Sequence, residues 1–105
     1  MEKLVWKGKI KPGMRDEYIR RHNEIWPEME QALRDSGICN YSIWNCGDEL
    51  IGYYECPSVE FARRFKENSE TMQRWSASMQ HVMEMVKDGH GENLVYQKVY
   101  ELTDI

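Results

Sequence analysis

Two alternating runs lie back to back in the middle of the chain, Ile38–Cys46 and Glu49–Cys56, joined through Asn45-Cys46-Gly47-Asp48. Alternation with period two reads as extended strand, and the Asn/Gly/Asp cluster reads as the turn of a hairpin. The period changes on both sides of this hairpin. Before it, Met14 to Ser36 follows helical spacing, and Gly37 stands where a helix-ending glycine is expected. Pro27 interrupts that pattern, which predicts a kink or short break around Asn23 to Trp26. After the hairpin, Pro57-Ser58 ends the strand, and Ser58 ahead of Phe61 predicts an N-capped short helix. Ser69 to Val86 then reads as a second long helix, with Met72, Trp75, Met79, Val82, Met83 and Val86 on one face. At the two ends of the chain the alternation returns. Leu4, Trp6, Gly8 and Ile10 share one side of a strand over Lys3–Lys11, closed by Pro12-Gly13. Leu94, Tyr96 and Tyr100 mark a last strand over Asn93–Leu102, after an Asp88-Gly89-His90-Gly91 loop.

The order is β-α-β-β-α-β, an α+β chain of the ferredoxin-like kind: an antiparallel sheet with both helices on one face. A chain of 105 residues suits one domain, 1–105, with one core. Both faces of the predicted sheet carry bulky groups, such as Ile51 and Tyr53 on one and Leu50 and Tyr54 on the other. A second subunit stacked sheet on sheet would cover the outer one, so a homodimer is expected.

Composition removes several classes of function. With 41% hydrophobic and 30% charged residues the chain reads as a globular domain. No apolar run reaches the ~18–20 residues of a membrane span, and MEKLVWKGKIKPG lacks the apolar stretch of a signal peptide. No membrane partner and a cytoplasmic location are the expectations. The net charge is −4, and acids flank each basic cluster, Arg20-Arg21 and Arg63-Arg64-Phe65-Lys66, so no nucleic acid is expected as a partner. Cys39, Cys46 and Cys56 are odd in number with no CxxC spacing, which argues for reduced thiols rather than disulfides or a zinc site.

The chemistry concentrates in EYIRRHNEIWPEMEQAL, Glu17 to Leu33. On a helical wheel Met14, Tyr18, His22, Ile25, Met29, Ala32 and Leu33 fall within an arc of about 100°. Tyr18 and His22, four residues apart, are neighbours on that face. Two readings follow: a phenol and an imidazole satisfied within a core, or the same pair lining a pocket between helix and sheet. Tyr41, on the second strand and on the face opposite Trp44, would add a second phenol to that pocket. Trp75 would supply an apolar wall. Aromatic faces with directed hydroxyl partners suit a sugar.

The run EYIRRHNEIWPEMEQAL, followed by SGICNYSIW and later by Gln73-Arg74-Trp75, closely resembles the L-rhamnose mutarotase family. The resemblance covers nearly the whole chain. It implies a dimeric α+β barrel that interconverts the α and β anomers of a deoxy sugar, L-rhamnose or a related 6-deoxy sugar. It implies His22 as the catalytic acid, Tyr18 and Tyr41 as sugar-binding tyrosines, and Trp75 as the first of a tryptophan pair that contacts the sugar. This chain departs from the family at the second place of that pair, which is Ser76; less aromatic area there would lower affinity or change which sugar fits.

Mutarotation opens the pyranose and closes it on the other carbonyl face, moving one proton off the anomeric hydroxyl and one onto the ring oxygen. His22 is expected as the acid at the ring oxygen, with Tyr18 and Tyr41 orienting the hydroxyls. No metal or organic cofactor is required. Two rivals share the architecture or the ligand. One is a dimeric α+β barrel monooxygenase, some of which bind haem, for which Trp75 and His81 would have to share a pocket. The other is a non-catalytic sugar-binding module.

Overall fold

The computed structural model describes residues 1–103. Strand β1 spans Glu2–Ile10, helix α1 Arg15–Asn23, helix α2 Pro27–Asp35, strand β2 Cys39–Cys46, strand β3 Glu49–Cys56, helix α3 Val59–Asn68, helix α4 Glu70–Met79 and strand β4 Met83–Met85. The four strands form one sheet in the order β2-β3-β1-β4, antiparallel throughout, as the ferredoxin-like pattern requires.

The break at Pro27 is where the sequence places it. Helix α1 stops at Asn23, and Pro27 takes the first position of α2, where a missing N–H costs nothing. Gly37, at φ +88, closes α2: its N–H bonds the Arg34 carbonyl and the Ile38 N–H bonds Leu33, the two bonds of a Schellman ending. Ser58 and Ser69 accept from the N–H groups of Phe61 and Met72 and so cap α3 and α4.

Two sequence expectations are corrected. The second long helix does not run to Val86; it ends at Met79. The fourth strand is Met83–Met85, not Asn93–Leu102. The outer edge of β1 needs partners for its backbone groups, and the segment after Met79 supplies them. Lys11 donates to the Val82 carbonyl, Met83–Met85 pair with Ile10, Lys9 and Gly8, and Val86 donates to Lys7. The chain then loops out and returns to the same edge, where Val95 pairs with Trp6 and Tyr96 donates to Val5. The predicted last strand thus survives only as a short continuation of β4 along β1.

Trp6, Ile10, Tyr18, Leu50, Met79 and Val82 form the main core between the sheet and helices α1 and α4. Met29, Ala32 and Met72 form a second cluster between α2 and α4, with Trp26 and Trp75 packed against it. Glycine at position 52 shapes the main core. Trp6 and Gly52 are directly opposite in register, and a Cβ on Gly52 would stand 2.0 Å from the Trp6 indole. The ring lies over bare backbone, and Gly8 leaves room at its other end. Gly52→Ala therefore forces the indole or the strand to move. Overpacking of this kind costs about 3 kcal/mol, and the expected result is a melting temperature lower by roughly 10 °C or more in a thermal scan.

Candidate functional site

The break after Asn23 leaves α1 a short helix with one face against the sheet, and that face carries Tyr18 and His22 one turn apart. Their rings stack with centroids 4.3 Å apart, tilted by 31°. Across from them, α4 presents Trp75, edge-on to the imidazole at 5.6 Å. Trp26, the residue before Pro27, packs edge-on against Trp75 at 5.1 Å, and the Arg74 guanidinium covers Trp26. Trp26, seated in the break, thus buttresses the wall of the site.

Tyr41 reaches the same region from the sheet. Strand β2 carries one extra residue between Cys39 and Ser42, where Asn40 adopts φ +49. A side chain that forms local hydrogen bonds makes that left-handed backbone tolerable for asparagine. Beyond the irregularity, Ser42 and Trp44 pair with the outward Tyr53 and Ile51, so Tyr41 and Ile43 face the helices. The Tyr41 hydroxyl accepts a hydrogen bond of 3.0 Å from the Trp6 indole. Its ring lies 5.4 Å from that of Tyr54. About a third of Tyr41 (37%) remains exposed although its hydroxyl end lies deep beside Trp6.

The electrostatics are those of neutral groups held out of water. Burial lowers the His22 pKa below its ordinary 6.5, only partly opposed by the hydrogen bond between Nδ1 and the Tyr18 carbonyl. A carbonyl only accepts, so Nδ1 carries the proton and Nε2 is left with a lone pair. Burial raises Tyr18 above the usual phenol value, helped by the nearby Tyr41 hydroxyl. Tyr41 is pushed up to about 12, again by burial. Both phenols stay protonated at neutral pH and are donors, not bases. The Tyr41 hydroxyl, already accepting from Trp6, keeps its proton free to donate. Among the described residues no sealed side-chain polar atom lacks a partner. The Tyr18 hydroxyl, with no such partner, therefore keeps a path to solvent.

Of the predicted site residues, the structure brings Tyr18, His22, Tyr41 and Trp75 together. Ser76 follows Trp75 on α4 and is half-buried. Trp6 and Tyr54 were not foreseen as partners of Tyr41; the Gly8 and Gly52 that accommodate the indole were the available signal. Two surface hollows lie apart from this cluster. One of about 340 Å³ is lined by Asp16, Ile19, Arg20, Asn23 and Glu24, and the other, of about 430 Å³, by Phe61, Arg64, Phe65, Asn68 and Ser69. The pairing of Trp75 with His81 required by a haem-binding rival is not formed: α4 ends before His81, which is exposed and bonded to Arg21. Among the described residues no helix is long and apolar enough to cross a membrane.

The family model of L-rhamnose mutarotase matches residues 3–102. The chain belongs to the L-rhamnose mutarotase family. A family relative from Burkholderia cenocepacia, named L-rhamnose mutarotase, is 34% identical over 104 residues, which is 97% of this chain and 99% of that one. One from Mesorhizobium japonicum with the same name is 37% identical over 92 residues, 83% of this chain and 84% of its own. The crystal structure of an L-rhamnose mutarotase from Formosa agariphila superposes with a TM-score of 0.77 at 23% identity, covering 98% of this chain and all of that one, and so shares the fold.

Tyr41→Phe removes the acceptor of the Trp6 indole N–H. An N–H left unpaired in this position costs roughly 1–3 kcal/mol, so the urea midpoint should fall with the slope of the transition unchanged.

Proposed function

We propose that this chain interconverts the α and β anomers of L-rhamnose, or of a related 6-deoxy sugar, by acid/base-assisted opening and closing of the ring. The family match over residues 3–102 carries this reading. The convergence of His22, Tyr18, Tyr41 and Trp75 on one region supports it from the side of chemistry.

His22 enters the reaction neutral, with Nε2 free. Nε2 takes the proton of the anomeric hydroxyl, the O–H electrons become the C1=O1 bond, and the C1–O5 bond breaks onto the ring oxygen. The ring oxygen then receives a proton, which the newly formed imidazolium supplies. The acid role that the family resemblance assigns to His22 is thus the second half of one proton's round trip. The aldehyde rotates about C1–C2, and closure runs the steps in reverse on its other face. Tyr18 and Tyr41, protonated, donate to sugar oxygens and hold the far end while C1 turns. Trp75 offers its face to the sugar's C–H side. Ser76, next to it, supplies a small polar group where the family carries a second indole, so the pocket takes a bulkier or differently placed substituent there.

A homodimer belongs to this reading. Trp44 (69% exposed) and Ile51 lie on the outer face of the sheet together with Val5 and Tyr53, and Val99, Tyr100 and Leu102 are open at the C-terminal end. A second copy stacked on that face would cover them. A cytoplasmic protein with no nucleic-acid or membrane partner completes the proposal.

Three measurements test it. His22→Ala keeps the fold and slows L-rhamnose anomer exchange at least tenfold by saturation-transfer NMR; an unchanged rate removes His22 from the chemistry. Because the working form of His22 is neutral and burial lowers its pKa, the rate should be flat above pH 6.5 and fall on an acid limb centred below that value. Light scattering at micromolar concentration should give the mass of a dimer; a monomer rejects the stacked-sheet assembly.

A further inference from the structure

Arg20 and Arg21 are adjacent on α1 and differ in what they hold. Arg20 is exposed (58%) and, among the described residues, pairs with Glu17 on its own helix and with Glu24 at that helix's C-cap. Arg21 is more covered (22%) and leaves its helix. Its Nε donates to Glu17 at 2.7 Å, its Nη1 to the Ser78 carbonyl, and its Nη2 to Nε2 of His81 at 2.9 Å. Hydrogen bonds from Arg20 and then Arg21 bring the Glu17 carboxyl down to about 2, so this anchor stays charged.

The Ser78 carbonyl is one of the last in α4, where carbonyls have no partner in the following turn. Its neighbours find backbone donors: Ala77 accepts from Gln80 and Met79 from Val82. Ser78 is satisfied by a side chain of α1, a cation at a helix C-terminus, where the helix dipole favours it. The Ser78 hydroxyl in turn donates to the Trp75 carbonyl at 2.7 Å. Two hydrogen bonds, joined through the covalent frame of Ser78, therefore link Arg21 to the backbone of the residue that walls the imidazole.

We propose that Arg21 is a positioning residue for His22: its guanidinium ties α1 to the C-terminal end of α4, and so fixes the distance and tilt at which Trp75 meets the ring beside it. The proposal rests on the assigned role of His22. Lysine cannot substitute fully, because an ammonium lacks the planar fork that reaches three acceptors at once. His81 accepts from Arg21 through the lone pair of its Nε2.

The test compares Arg21→Lys, Arg21→Met and Arg20→Met, reading the His22 titration by ¹H–¹⁵N NMR and the kcat and KM of L-rhamnose anomer exchange. A misplacement of about 1 Å costs up to ~100-fold in rate. Arg21→Met is expected to lose about tenfold or more in kcat with a smaller change in KM. Its His22 midpoint should move up toward the ordinary value, as the ring loses its packing against Trp75. Arg21→Lys should shift both in the same direction by less, and Arg20→Met should match the parent. A folded Arg21→Met with the parent's kcat and His22 midpoint overturns the proposal. If Arg21→Met does not fold, Arg21→Lys decides: the parent's midpoint and kcat together overturn it. The NMR midpoint reports ring placement without turnover. A shifted midpoint together with an unaffected His22→Ala rate would uphold the clamp while rejecting His22 as the base.

Discussion

An indole lying over a glycine backbone holds the interior of this protein together. Trp6 occupies the middle of β1, and only the absence of a side chain at Gly52 lets its ring settle onto the neighbouring strand. From that position its N–H meets the Tyr41 hydroxyl, and one hydrogen bond links the central strand to the edge strand through the core side of the sheet. The same ring packs with Tyr18, Leu50 and Val82, so the floor beneath the proposed sugar site is one with the core that stabilises the fold. The site's phenols are consequently preorganised by packing that folding requires anyway.

The second constraint is the break at Pro27. A continuous helix from Met14 to Ser36 would have to follow a single axis. Divided, α1 turns Tyr18 into the main core and His22 toward Trp75, while α2 lays Met29 and Ala32 against α4. Trp26 sits in the break and meets Trp75, so the discontinuity in the backbone also supports the wall of the site. Arg21 and His22, neighbours in sequence on the shorter helix, then both reach α4, one at its end and one along its side.

Much of this was legible in the residues. The hairpin, the Pro27 break, the Ser58 cap and the Gly37 ending are local signals, set by backbone chemistry within a few residues. The four-residue spacing of Tyr18 and His22 placed them together for the same reason. What was not legible depended on distant partners. Val82, Met83 and Val86 fit a helical stripe as well as Met83 and Met85 fit alternation, and the unpaired edge of β1 decided between them. The pairing of Trp6 with Tyr41 spans 35 residues and carries no periodic mark. In the sequence Arg21 stands only as part of a basic cluster flanked by acids; that it bonds Ser78 and His81 follows from how α4 ends. The roles given to the site residues come from chemistry and family resemblance together.

Strand β2 forms one border of the sheet, and its regular ladder is spoiled near Asn40, where the backbone turns left-handed and the asparagine side chain is drawn to Glu55. A border with such a defect is a poor template for a further strand. Copies of this chain are thereby discouraged from adding one after another side by side into open-ended ribbons. For the homodimer proposed above, that leaves the outer face of the sheet as the meeting surface, and a face-to-face contact across a twofold would close on itself at two copies.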